Sequence, residues 1–266
     1  MLMVFYCVIM VVGETMIDTH CHLSKKNYDN LEEVIKKMGE HIIIVSGVDD
    51  ESNKEVIELC NKYDNIFGTL GIHPGELDKI TEESFSFIEN NLKHPKIVAV
   101  GEIGLDYYWR KDNIEKQKEI FIKQIELARK YNKTIVVHSR ESINDIYEIL
   151  KSYGKGIKAT LHCFSSSIEM AEKFIKLGAK LGISGVVTFD NAKTLKEVVR
   201  NIDLKHLLLE TDSPYLSPER GKKNEPYNII YVAEKIAEIK GINVSLVLKN
   251  TTVNASCQFD LNSKMC

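Results

Sequence analysis

Eight short β-rich runs, each followed by an amphipathic stretch, succeed one another along the chain. The strand candidates are residues 16–19, 42–46, 66–71, 97–101, 134–137, 158–161, 179–184 and 206–209. Several are nearly continuous apolar runs, the pattern of parallel strands covered on both faces. Between and after them the apolar period becomes helical. Residues 112–130 carry Phe121, Ile125 and Ala128 on one stripe, and residues 227–239 carry Ile229, Val232, Ala233 and Ile236 on one face. A last helix is expected over residues 244–257. No linker or low-complexity tract interrupts the alternation. The pattern predicts an α/β fold, a single closed (β/α)8 barrel. A length of 266 residues suits it, since such barrels take about 250. The runner-up, an open doubly wound sheet, would want GxGxxG after the first strand. Asp18-Thr19-His20-Cys21-His22 stands there instead.

With 44% apolar and 27% charged residues, the chain has the composition of a folded globular protein and not of a disordered one. A net charge of -3 excludes bulk attraction to nucleic acid or an anionic membrane. A polyanionic partner would have to be held by a local basic rim or by bound metal. Cys7, Cys21, Cys60, Cys163, Cys257 and Cys266 form no CxxC pair, so free thiols and a cytoplasmic location are expected. The apolar run at residues 1–12 is too short for a bilayer, which needs about 20 residues. It also lacks a basic leader. Residues 1–15 are read as an N-terminal extension or a misassigned start, with an extra strand or lid as the structural alternative. Residues 16–266 form the barrel domain. Neither a membrane nor an obligate protein partner is expected.

Of the eight histidines, His20, His22, His73, His138 and His162 fall at or just past the end of a strand candidate. In a barrel that edge carries the chemistry. His41, His94 and His206 are given no role. His20 and His22 are two apart on an extended segment, so their side chains share a face and can chelate one divalent ion. An isolated HxH also arises by chance; its place at the first strand end gives it weight. Cys21 points the other way, as a small buried residue. Glu102 ends an apolar strand between Gly101 and Gly104, where a carboxylate is costly to desolvate without a cation. His138 and His162 each close an apolar run; singly they read as core histidines, together with the HxH pair as ligands. Asp212 follows the eighth strand, where one carboxylate can bind metal and accept a proton from water. Glu210, two residues earlier, is expected to orient a ligand from behind. Imidazole and carboxylate without thiolate argue against a closed structural zinc site. Six donors on five strands exceed one tetrahedral ion. Two ions sharing a carboxylate account for them and suit phosphodiester hydrolysis.

With these residues placed, the sequence resembles the TatD family of metal-dependent deoxyribonucleases, within the amidohydrolase superfamily of TIM barrels. The resemblance rests on MIDTHCHL, GIHP, VAVGEIGLDYYW, QKEIFIKQIELA, VVHSRES, TLHCFS, LLLETDSPYLSPERGKKNEP and TTVNASCQF, in order over residues 16–259. It implies that His20 and His22 bind one ion, His138 and His162 another, and that Glu102 bridges them. It further implies that Asp212 binds the first ion and acts as general base, and that His73 contacts the scissile phosphate. The implied cofactors are two divalent ions, Mg²⁺, Mn²⁺ or Zn²⁺. The implied substrate is DNA, through single-stranded ends and exonucleolytically. The family commonly reads HPHE where this chain has His73-Pro74-Gly75-Glu76, so Gly75 replaces a histidine. At the C-terminal motif, Cys257 and Gln258 stand where basic or leucine residues are frequent.

The surroundings fit a phosphate substrate. Arg140 sits at the mouth, and Tyr107, Tyr108, Trp109 and Arg110 follow Glu102 on a loop. The aromatics of this loop, Tyr107 among them, could stack on a base with Arg110 near the backbone, or pack as core and rim. Arg220, Lys222 and Lys223 form a basic turn that could track phosphates, or be a solvated loop. Alternatives remain: a hydrolase of the same superfamily acting on an ester or amide, such as an aminoacyl-tRNA deacylase, or a binding protein on a retained barrel. A serine hydrolase is disfavoured, because no GxSxG elbow is present.

Overall fold

The structure is a computed structural model, described here over residues 15–261. The expected extension thus lies, apart from Thr15, outside the described residues. Eight parallel strands run in the order β1 to β8, each hydrogen-bonded to the next. They are β1 (Ile17–Cys21), β2 (Ile42–Ser46), β3 (Ile66–Leu70), β4 (Ile97–Asp106), β5 (Thr134–Arg140), β6 (Ala159–Leu161), β7 (Lys180–Ile183) and β8 (Leu207–Leu209). Between them run α1 (Leu31–Lys37), α2 (Asp50–Lys62), α3 (Glu82–Asn91), α4 (Ile114–Lys130), α5 (Ile143–Tyr153), α6 (Ile168–Lys176) and α7 (Lys193–Asn201). After β8 come α8 (Ile229–Lys240) and α9 (Val244–Phe259). The eight βα units are those the apolar pattern predicts, and the fold is a (β/α)8 barrel.

The strands are apolar along their length because both faces are covered, by helices outside and by neighbouring strands inside. Ile43, Val100, Ile135, Leu181 and Leu207 are fully buried. The seam between β8 and β1 is closed by particular groups. Asp18 accepts from the Thr211 backbone N–H at 2.9 Å and from its hydroxyl at 2.6 Å. Thr19 Oγ1 donates to the Leu209 carbonyl at 2.8 Å, and the Asp212 N–H to the His20 carbonyl at 3.0 Å.

Two strands run further than their apolar cores indicate. β4 extends to Asp106 and β5 to Arg140, so Glu102 and His138 lie within strands and not at their ends. An apolar run stops being visible where a strand turns polar side chains into the barrel mouth. The β4–β5 ladder shifts register between Val100 and Ile103, and the β1–β2 ladder between Asp18 and Cys21. Such irregularities re-aim side chains beside active sites, and these two flank Glu102 and His20. Gly104 is required here: its φ is 144° and a Cβ would meet the His138 carbonyl oxygen at 2.0 Å. Among the described cysteines Cys21, Cys60 and Cys163 are free thiols as expected. Cys257, half-buried on the outer helix α9, corrects that expectation and is disulfide-bonded. No helix among the described residues is long and apolar enough to cross a membrane.

Candidate metal centre

The histidines of β1 and its end converge as their spacing demands. The Nε2 atoms of His20 and His22 lie 3.2 Å apart. One residue, Ser46 at the end of β2, stands behind both. Its Oγ is 3.0 Å from His20 Nδ1 and its carbonyl oxygen 3.1 Å from His22 Nδ1. A carbonyl only accepts, so neutral His22 carries its proton on Nδ1 and turns the Nε2 lone pair into the site.

Glu102 meets this pair from β4. Its Oε2 lies 3.4 Å from His20 Nε2 and 3.5 Å from His22 Nε2. Its Oε1 lies 2.8 Å from His138 Nδ1 and 3.8 Å from His162 Nε2. One carboxylate therefore faces all four histidines expected to bind metal. Asp212 completes the ring, with Oδ1 at 3.5 Å from His22 Nε2, 3.7 Å from His20 Nε2 and 3.8 Å from His162 Nε2. The rings of His20 and His162 stack with centroids 3.7 Å apart. All six expected ligands are brought together.

Carboxylates stand behind the other two histidines. Glu210 Oε1 is 3.1 Å from His162 Nδ1, close enough to pair with it electrostatically though not aligned as a hydrogen bond, and it accepts the Cys163 backbone N–H at 2.5 Å. Gly182 makes room for it, since a Cβ there would lie 2.2 Å from Glu210 Oε2. Asp106 Oδ2 is 3.1 Å from His138 Nε2. Sequence reading missed Asp106 and Ser46, and also Asp18, whose burial pushes its pKa up to about 8 against the hydrogen bonds from Thr211 and His20. Asp106 had one signal: it ends a strand between Leu105 and an aromatic cluster.

Electrostatics sort the groups. Burial works against the Glu102 anion, yet the facing His73, His162, His138 and His20 hold its carboxyl well below the usual range. Burial likewise opposes the charge of Asp212, but His162 and His22 lower it. Burial alone would neutralise His162; Glu210, Asp212 and Glu102 outweigh it and push its pKa up to about 10.

His73 differs from the others. Its Nδ1 accepts the Gly75 backbone N–H at 3.0 Å. Burial pushes its pKa down to about 4 despite Glu102. A neutral ring whose Nδ1 accepts must carry its proton on Nε2, and Nε2 is 3.6 Å from Glu102 Oε1. His73 therefore presents a donor to the site where His22 presents a lone pair. At Gly75 a Cβ would approach His73 Nδ1 to 3.1 Å.

Ligand atoms lie within 4.8 Å of one another in two groups, His20, Glu102 and His162, and His20, His22 and Asp212, and in a third, His73, Glu102 and His138, in which His73 brings its N–H and the other two their lone pairs. Buried lone pairs and carboxylates converging in this way are satisfied together by a cation. Imidazole and carboxylate without thiolate suit Zn²⁺, Mg²⁺ or Mn²⁺, so the residues fit a divalent metal.

At the rim two of the expected substrate contacts have partners within the chain. The Tyr107 hydroxyl donates to Asp145 at 2.7 Å. The Arg110 fork is taken by Asp78 at 2.6 Å and Asp112 at 3.0 Å. Each is thus paired with a carboxylate in this structure. Their neighbours Tyr108 and Trp109 are exposed instead, and the Arg140 guanidinium lies over them. Tyr215, also exposed, has its ring centroid 6.1 Å from that of His22. In the basic turn, Lys222 pairs with Glu219 and Lys223 reaches the Asn27 carbonyl.

Known proteins are similar to this chain over nearly its whole described length. A family model described as TatD related DNase matches residues 17–260. The chain is 41% identical over 254 residues to the uncharacterized metal-dependent hydrolase YabD of Bacillus subtilis, covering 93% of this chain and 100% of that one. It is 39% identical over 249 residues to an uncharacterized metal-dependent hydrolase of Methanocaldococcus jannaschii, covering 91% and 96%. The crystal structure of YJJV, a TatD homologue from Escherichia coli K12, superposes with a TM-score of 0.85 at 29% identity, covering 93% and 98%. A barrel that gathers six candidate metal ligands at its mouth, matched over nearly its whole length by these relatives, belongs to the TatD family of metal-dependent hydrolases.

Proposed function

We propose that the chain hydrolyses DNA phosphodiester bonds, as an exonuclease working on single-stranded ends with two divalent ions. His20, His22 and Asp212 would hold one ion and His138 and His162 the other, with Glu102 shared. When bound, such ions stabilise charge on phosphoryl oxygens and make water more acidic. The Asp212 carboxylate, kept ionised by His162 and His22, takes the proton of the attacking water. The neutral His73 ring donates from Nε2 to a non-bridging phosphoryl oxygen as charge develops there, while the P–O bond to the leaving sugar oxygen breaks and that oxygen takes a proton from solvent. Glu102, fixed between four imidazoles, holds the two halves of the site at one spacing. Asp106 and Glu210 keep the His138 and His162 rings turned inward.

The observation that carries this reading is the opposed polarity of the site: an N–H donor on His73 beside lone pairs and carboxylates that call for cations. An anionic group placed between them finds positive partners on both sides. The experiment is hydrolysis of 5′-labelled single-stranded and duplex DNA by metal-stripped protein re-supplied with Mg²⁺, Mn²⁺ or Zn²⁺, beside an Asp212→Asn variant. Metal-restored cleavage that the variant lacks supports the reading, and the product ladder gives the mode. An intact substrate with every metal overturns it in favour of ester or amide hydrolysis.

A further inference from the structure

We infer that the Tyr108–Trp109 turn, together with Arg140, is a stacking platform for an unpaired base next to the scissile bond, and that Asp106 fixes its position relative to His138. This deepens the nuclease reading and rests on it.

The first ground is exposure. Tyr108 is 49% exposed and Trp109 67%, among the most exposed large apolar side chains of the described residues. Their rings meet edge to face with centroids 4.8 Å apart, so each leaves π surface to solvent. The second ground is charge. Arg140 Cζ lies 4.0 Å from the Tyr108 ring centroid and 5.3 Å from that of Trp109. Among the described residues no carboxylate forms an ion pair with it, whereas Arg110 is paired twice. A guanidinium seated over aromatics and not paired with a carboxylate keeps N–H donors for a phosphate. Aromatic faces with a free arginine are the chemistry that binds single strands without reading sequence.

The third ground ties the platform to the metal centre. Asp106 Oδ1 accepts the backbone N–H groups of Tyr108 and Trp109, both at 3.0 Å. Its Oδ2 lies 3.1 Å from His138 Nε2. One carboxylate thus sets the turn with one oxygen and a ligand ring with the other. Arg140 is the register partner of Asp106 across the β4–β5 ladder, and its carbonyl accepts the Tyr107 N–H at 2.9 Å. The aromatic turn, the arginine and the ligand histidine therefore share one rigid strand end. A base in a duplex has both faces occupied, so this surface favours a frayed or single-stranded end.

Trp109 is the only tryptophan of the chain, so intrinsic fluorescence reports this surface directly. The experiment titrates the metal-loaded full chain with a phosphorothioate single strand that resists cleavage. Parallel titrations use an abasic strand of equal charge and a blunt duplex. The single strand should quench Trp109 and bind about tenfold more tightly than the abasic strand, the scale of one base stacked on an aromatic. Tyr108→Ala should weaken binding of the single strand about tenfold and leave the abasic strand unaffected. Arg140→Ala should weaken both and lower the salt slope of single-strand binding by about 0.7. Asp106→Asn should reduce the quenching together with activity, whereas a residue supporting His138 alone would reduce activity only. Equal affinity for the abasic strand, or binding without quenching, overturns the platform. Cleavage without quenching overturns it while keeping the nuclease reading; quenching without cleavage keeps the platform and overturns the nuclease reading.

Discussion

The two halves of the metal centre are built from the same ligand types but have different backing. At the β1–β2 edge, His20 and His22 lean on one neutral residue, Ser46. At the β4–β6 edge, His138 and His162 lean on carboxylates, Asp106 and Glu210. Burial lowers the pKa of His20, chiefly by desolvation with His162 adding to it. For His138, burial pulls the same way, yet Asp106 and Glu102 outweigh it and raise the pKa. An anionic partner behind an imidazole makes it a stronger base toward protons and metal alike. The second half thus holds protons in the metal-free protein that a cation must displace, as does His22, whose pKa Asp212 and Glu102 raise against burial, while His20 is ready as a neutral ligand.

The severest challenge to the comparison is to remove what the halves share. Among the described residues, Glu102 is the one carboxylate facing all four histidines, and Glu102→Ala removes it. Activity should fall by about a thousandfold or more, since several kcal/mol of transition-state stabilisation depend on the ions it positions. Bound metal measured by elemental analysis should fall in parallel. A variant with full activity would refute the shared-carboxylate assignment. Next in size is Asp106→Asn, which replaces the anion behind His138 by an amide. Loss of such a backing group costs about 10–100-fold in metal affinity or activity. If Ser46→Ala costs as much, the contrast between anionic and neutral backing is empty.

The pH dependence of stability separates the halves without any substrate. His162 is pushed up to about 10 in the folded, metal-free protein, against about 6.5 in an unfolded chain. Its contribution is fully present below pH 6.5 and is lost as pH rises through 10. Asp18, raised to about 8 by burial, acts in the same direction but finishes titrating earlier. Between pH 8 and 10, then, thermal melts of metal-stripped protein should fall by several degrees. Metal-loaded protein, whose His162 has surrendered that proton, should fall less. Equal slopes for the two forms would mean that His162 is not a ligand.

The barrel was legible because buried parallel strands are written as apolar runs, and the run at 42–46 became β2 with the same bounds. The candidate ligands that the barrel brings together were legible because a lone polar residue closing such a run stands out. What sequence could not display is pairing across strands. Ser46 looks like an ordinary strand-end serine until β2 is laid beside β1. Asp106 looks like a turn residue until β4 is seen to run five residues past Gly101. Arg110 looked like a phosphate ligand because Asp78, its partner, is 32 residues away. Register shifts at His20 and Glu102 are equally invisible, since they arise from how neighbouring strands fit.

The smallest expected effect tests the neutral side. Ser46→Ala removes the hydroxyl beside His20 Nδ1 but leaves the backbone carbonyl that fixes His22. One buried partner is lost, from a site that also has Thr69 Oγ1 within 3.2 Å of Ser46 Oγ. An unmade buried hydrogen bond costs about 1–3 kcal/mol, and part falls on stability instead of on metal. Activity at saturating metal should therefore drop only a few-fold, with a modest decrease in melting temperature. Raising metal concentration should recover most of it, because His22 keeps its tautomer and His20 has no competing proton to lose. A hundredfold loss that added metal cannot restore would show that Ser46 works as hard as Asp106, and that His20 needs its backing to ligate at all.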